Sequence, residues 1–178
     1  MIGVLVSGTG TNLQALIDAG LPVVAVASNR RDAPALERAH QLATESFELG
    51  DYGDRTERDT AMADWLEQQS VRVVVLAGYM HLLTSAFLER FPDAVVNVHP
   101  SLLPEFPGAH AVEDQLAAGV AEAGATVHLV DEGVDSGPIL AQERVTVLAG
   151  DTPETLHARI KEIEHRLLPR VVGELCAR

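Results

Sequence analysis

The sequence predicts an α/β fold, a single domain built on an open, doubly wound and mostly parallel sheet. Three observations predict it. Val-rich apolar runs at Ile2–Val6, Val23–Ser28 and Val71–Leu76 read as strands buried on both faces. The intervening stretches Asn12–Ala19, Ala33–Ala43 and Arg55–Gln69 carry apolar residues at three- and four-residue spacing, with Gly20 and Gly50 as stop signals after the first two helices. The length, 178 residues, suits one hydrophobic core, so residues 1–178 are expected to form one domain. Alternation of this kind implies right-handed crossovers and places ligands beyond the carboxyl ends of the strands.

The second half is less regular. Ala94–Val98 reads as a strand, and residues 97–108 form a proline-rich loop too stiff for a helix or a central strand. Helical spacing returns over Ala109–Ala118. Ala125–Val130 and Ile139–Val147 read as strands on either side of an Asp- and Gly-rich turn. A last helix opens at Thr152, with Pro153 in its first position, and runs toward Cys176 with a break expected at Pro169.

Composition narrows the function classes. With 13 Lys and Arg against 26 Asp and Glu, the formal net charge of −13 argues against binding a nucleic-acid backbone or an anionic membrane. An anionic substrate would need a local positive site. The one cysteine, Cys176, excludes an intrachain disulfide and a Cys-based metal site. No histidine spacing suggests a metal site either; His40 and His157 are read as helix-surface residues. The apolar start at Met1–Val6 is too short for a signal peptide and no run approaches a membrane span, so a cytoplasmic location is expected.

Three groups stand where ligands are expected. Ser7-Gly8-Thr9-Gly10-Thr11-Asn12 follows the first strand and opens the first helix, where glycines allow a sharp turn and unpaired N–H groups face an anion. The alternative there is a tight turn with an Asn cap and no ligand. A dinucleotide fingerprint would need a third glycine where Leu13 stands. Asn97 and His99, two residues apart at a strand end, point to one side and suit the holding of an acyl-transfer oxyanion. Asp135, between Gly133 and Gly137, is a carboxylate able to orient a histidine and relay a proton.

These residues belong to longer motifs: Ser-Gly-Thr-Gly-Thr-Asn-Leu-Gln at 7–14, Val-Leu-Ala-Gly-Tyr-Met at 75–80, Asn-Val-His-Pro-Ser-Leu-Leu-Pro-Glu-Phe-Pro-Gly at 97–108, Val-Asp-Glu-Gly-Val-Asp-Ser-Gly-Pro-Ile at 130–139 and Glu-His at 164–165. Through them the chain resembles the folate-dependent formyltransferases, and within that superfamily the phosphoribosylglycinamide formyltransferases. The resemblance implies a Rossmann-like fold and formyl transfer from 10-formyltetrahydrofolate to the amine of glycinamide ribonucleotide, in purine biosynthesis and without a metal. It implies a catalytic trio of Asn97, His99 and Asp135. It further implies substrate binding by Gly10, Thr11, Asn12, Pro100, Lys161 and Glu164, and folate binding by Arg55, Met80, His81, Leu82, Leu83, Val130 and Val134. His81 stands where this family often carries Arg.

On the same basis, residues 1–95 are expected to bind phosphate and residues 96–178 to bind folate and carry the chemistry. The expected partners are the two small-molecule substrates, with the chain a monomer or homodimer. Formyltetrahydrofolate deformylase is the alternative within the superfamily, with water as the acceptor. The methionyl-tRNA formyltransferases carry a further tRNA-binding domain and need a basic surface. From other classes, an NADP-binding reductase would use Asn29-Arg30-Arg31 to meet a 2′-phosphate, and a non-catalytic ligand-binding module would bind without turnover.

Overall fold

The computed structural model describes residues 1–177. Five strands run parallel: β1 (Ile2–Val6), β2 (Val23–Ser28), β3 (Ala43–Ser46), β4 (Val73–Leu76) and β5 (Val95–His99). An antiparallel hairpin of β6 (Glu122–Leu129) and β7 (Ile139–Thr146) extends the sheet beyond β5, so the order is β3-β2-β1-β4-β5-β6-β7. The sheet is therefore mostly parallel, as the sequence predicts.

Helices cover both faces. On one side lie α1 (Thr11–Asp18), α2 (Ala35–Arg38), α5 (Ala111–Ala117) and the long α6 (Pro153–Cys176). Leu13, Leu16, Ile160, Ile163 and Leu167 pack there against Val4, Val26, Val75 and Val127. On the other lie α3 (Arg55–Gln68) and α4 (Ser85–Leu88), where Met62, Leu66 and Phe87 meet Leu5, Ala25, Val74 and Val95. The central strands β1, β2 and β4 thus need apolar residues on both faces, which explains their Val runs. The winding reverses between β1 and β4, and that reversal opens a crevice above their carboxyl ends.

Three elements differ from the sequence reading. The helix expected at 33–43 lasts only four residues, after which Leu42 leads into β3. Pro34 sits at its start, and Ala43–Ser46 pairs with β2 through backbone bonds at the sheet edge, where no apolar run is needed. Gly50 consequently lies in a 3-10 turn, Leu49–Asp51, rather than at a helix end. Residue His40 lies in the turn after α2, off any helix. At Pro169 no break occurs: α6 continues through it. The lost N–H bond, a penalty of about 3 kcal/mol, is outweighed by burial of Leu167, Leu168, Val171 and Val172 around it. The start of α6 agrees with expectation, since the Thr152 side chain caps it and Thr155 completes a reciprocal capping box.

Candidate active site

Above the carboxyl ends of β1, β4 and β5 lies a cavity of about 600 Å³, within the range of small-molecule sites. At one end is the turn from β1 into α1. Gly10 adopts a left-handed conformation (φ 73°), and a Cβ there would come within 2.6 Å of the Ala35 Cβ, so only glycine fits. Arg38 pins the turn by donating from Nε to the Thr9 carbonyl at 2.6 Å. No side chain caps α1, leaving its first N–H groups turned toward the cavity. Asn12 is therefore no cap. Its Nδ2 instead donates to Glu164 Oε2 at 2.9 Å, joining α1 to α6. Glu164 is 4% exposed, and burial pushes its carboxyl above the usual range against the opposing hydrogen bond from Asn12 and the charge of Lys161. Lys161 lines the same end.

At the centre stand Asn97, His99 and Asp135, brought together from β5 and the β6–β7 connection. His99 Nε2 lies 2.8 Å from the Phe106 carbonyl and its Nδ1 3.3 Å from Asp135 Oδ2. Both ring nitrogens thus face oxygens that only accept. Asn97 Nδ2 donates to Asp135 Oδ1 at 3.3 Å and lies 3.2 Å from His128 Nε2. Asp135 holds a left-handed conformation (φ 51°), uncommon for a residue with a side chain, which aims its carboxylate between the two histidines. The Gly108 N–H donates to its Oδ2 at 2.8 Å. Burial raises this carboxyl, but His128, the Gly108 N–H and the charge of His99 outweigh it, so Asp135 titrates below the ordinary carboxylate value.

The sequence reading did not name His128. It faces Asn97 directly across the antiparallel β5–β6 ladder, and its Nδ1 lies 2.8 Å from the Leu129 carbonyl. Its Nε2 lies between the Asn97 amide at 3.2 Å and Asp135 Oδ1 at 3.6 Å. The loop behind the cluster is held from three sides. Gln115 Nε2 donates to the Pro100 carbonyl at 2.9 Å, Thr126 Oγ1 to the Ser101 carbonyl at 2.6 Å and Gln142 Nε2 to the Leu103 carbonyl at 2.7 Å. A cis peptide joins Leu103 to Pro104. Pro100 also lines the cavity.

The remaining wall is apolar. Met80, Leu82, Leu83, Val130 and Val134 line it, and Met80, Leu82 and Val134 are exposed, an arrangement that suits an apolar face of a ligand. His81 lies at this wall, with Arg58 Nη1 2.6 Å from its Nδ1 and the Asn29 amide nitrogen 3.2 Å from its Nε2. Arg58 has no exposed surface and donates from Nε to Asp59 Oδ1 at 2.9 Å. Arg55, at the start of α3, lies outside the cavity lining, whereas His157 lines it, half-buried rather than on the outer surface of α6. Arg30 and Arg31 are paired with Asp32 and Asp51, and neither lines the cavity.

The formyl transferase family profile matches residues 1–172. The chain belongs to the formyl transferase family. It is 47% identical to phosphoribosylglycinamide formyltransferase of Mycobacterium tuberculosis over 97% of its own length and 83% of that protein. It is 44% identical to the trifunctional purine biosynthetic protein adenosine-3 of Gallus gallus, matching with 94% of its own length but spanning only 18% of that protein. The crystal structure of phosphoribosylglycinamide formyltransferase from Streptococcus pneumoniae superposes with a TM-score of 0.94 at 43% identity, covering 98% of this chain and 97% of that one. Glycinamide ribonucleotide transformylase 1 from Symbiobacterium toebii gives the same TM-score at 46% identity, covering 96% and 84%. Formyl transfer requires an attacking group, an oxyanion holder and a route for one proton, and the central cluster of this formyl transferase offers groups for the last two.

Proposed function

We propose that this formyl transferase moves the formyl group of 10-formyltetrahydrofolate to the primary amine of glycinamide ribonucleotide, a step of purine biosynthesis. The observation that carries the reading is the Asn97, His99 and Asp135 cluster, set in one cavity between an anion-binding helix start and an apolar wall. The phosphate rests on the N–H groups of Gly10, Thr11 and Asn12 with Lys161 as counter-charge, and Glu164 reaches the rest of that substrate. Met80, Leu82, Leu83, Val130 and Val134 pack on the folate ring, with Pro100 at the substrate side and His81 and Arg55 toward the folate tail. Residues 96–178 supply the chemistry, whereas the other two parts are shared: the anion end joins Gly10, Thr11 and Asn12 to Lys161 and Glu164, and the folate wall joins Met80, Leu82 and Leu83 to Val130 and Val134.

The amine attacks the formyl carbon, and the carbonyl oxygen gains negative charge. Asn97 Nδ2 donates to that oxygen, and so does the Nε2–H of His99, which leaves the Phe106 carbonyl to do so while Nδ1 stays on Asp135. Asp135 orients His99 and, through water, accepts the proton leaving the amine and returns one to the folate nitrogen as its bond to carbon breaks. Atoms balance with no further reactant: one N–C bond forms, one breaks, and one proton changes nitrogen. The reaction is assigned to the cytoplasm.

The test is to follow tetrahydrofolate release from 10-formyltetrahydrofolate with and without glycinamide ribonucleotide. Release only with the ribonucleotide is expected. Equal release without it would make water the acceptor and the chain a deformylase, and no release in either case would overturn both readings.

A further inference from the structure

Residues 157, 161 and 164 are spaced four and three apart, so they share one stripe of α6. All three line the cavity. Glu164 fixes the stripe against the start of α1 through Asn12, at 2.9 Å. Lys161 then lies about one turn toward the start of α6, and His157 about one turn further, at about 1.5 Å of rise per residue.

The cavity is short of positive charge for a phosphate. Its lining holds three carboxylates, Asp131, Asp135 and Glu164, against one formal cation, Lys161. Of its histidines, His99 and His128 are engaged around Asp135, and His81 is engaged by Arg58. Among the described residues, His157 is the lining imidazole that makes no side-chain hydrogen bond.

We propose that His157 is a substrate-binding residue, which joins Lys161 and the N-terminus of α1 in holding the phosphate of the ribonucleotide. The proposal rests on the function proposed above. The charged groups acting on the ring are Lys161 on its own helix and Glu113 on α5. Burial first, and then the charge of Lys161, hold its pKa below the usual histidine value, against the smaller effect of Glu113. The free ring is consequently neutral near pH 7. A phosphate dianion reverses the balance, so the ring takes up a proton as the anion binds and donates a charge-assisted hydrogen bond.

The experiment compares wild type, His157→Gln and His40→Gln, the last on an exposed turn remote from the cavity. Steady-state kinetics are run for both substrates, and inorganic phosphate is titrated while the histidine ring resonances are followed by NMR at pH 6.5 and pH 8. For His157→Gln, the KM for the ribonucleotide and the Kd for phosphate should rise about tenfold, the scale of a lost charged hydrogen bond. The loss should fall on that KM rather than on kcat or the folate KM. Phosphate itself gains charge across this window in every variant, so the readout is relative: compared with His157→Gln, wild type should lose phosphate affinity from pH 6.5 to pH 8, and His40→Gln should follow wild type. Unchanged phosphate binding in His157→Gln, or an effect confined to the folate KM, overturns the proposal. Should wild type fail to turn over the ribonucleotide, the functional reading falls, yet the phosphate titration still decides whether His157 binds the anion.

Discussion

The end of β5 and the loop beyond β4 each place a histidine at the same cavity, and the two rings meet opposite surroundings. His99, at the end of β5, has acceptors on both nitrogens: the Phe106 carbonyl at 2.8 Å and Asp135 at 3.3 Å. His81, beyond β4, has donors on both: Arg58 at 2.6 Å and the Asn29 amide at 3.2 Å. A ring carrying two hydrogens satisfies the first setting, whereas a neutral ring can accept from only one neighbour in the second and a charged ring from neither. Residue type and position along the sheet edge are therefore insufficient to assign a role. The partner decides: His99 is surrounded by acceptors, and His81 by donors that suit a neutral ring.

The largest test of this contrast is Asp135→Asn, which keeps the shape of the side chain and one acceptor oxygen but removes the negative charge and the proton acceptor beside His99. Turnover should fall by at least about a hundredfold, the usual scale for losing a proton-transfer group, with circular dichroism and thermal melting near wild type. Near-normal kcat would remove the proposed role of Asp135.

Arg58→Met breaks the other setting. It leaves the Asp59 carboxylate, which has no exposed surface, without its cation while Thr84 N–H still donates to it at 2.7 Å. Loss of one partner of a buried pair costs about 3–5 kcal/mol. For a domain of this size that is a fall in Tm of roughly 10 °C or somewhat more. The double variant Arg58→Met/Asp59→Leu should recover part of the loss in urea unfolding. A double variant less stable than the single one would mean that the pair is not the source of the effect.

The contrast also marks what could be read from sequence. The Val runs of β1, β2 and β4 were legible because both sheet faces are covered, and Gly10, Asn97, His99 and Asp135 because strand ends and glycine turns leave local signals. Edge strand β3 left none, since Ala43–Ser46 is held by backbone pairing and its residues are half-exposed or exposed. His128 enters the site through its register opposite Asn97, and pairing between β5 and β6 is tertiary information. Arg58 occupies a helix position that reads as solvated, yet it is fully buried because Asp59 and His81 meet its guanidinium. The stripe of His157, Lys161 and Glu164 was legible as spacing, but which way α6 turns it is set by packing of Ile160, Ile163 and Leu167 on the sheet.

The smallest effect is a pH dependence, and its sign separates the two settings. Burial, then the charges of Arg58 and Arg55, hold the pKa of His81 below the usual histidine value, with Asp59 opposing. Between that lowered pKa and the unfolded value near 6.5, the unfolded chain binds more protons, so stability falls as pH is lowered through this window. His157 and His165, also lowered chiefly by burial, add slopes of the same sign. Asp135, lowered in the folded state, acts elsewhere: its contribution is present above its unfolded value near 3.8 and is lost as pH falls through its folded pKa. Melting curves of wild type and His81→Gln between pH 7.5 and pH 5 therefore isolate His81. The variant should lose part of the decline in Tm across that range, which lies above the window in which Asp135 acts. An identical decline in both proteins would show that His81 takes up its proton as readily in the fold as in the unfolded chain, and that the Arg58 contact does not hold the ring neutral.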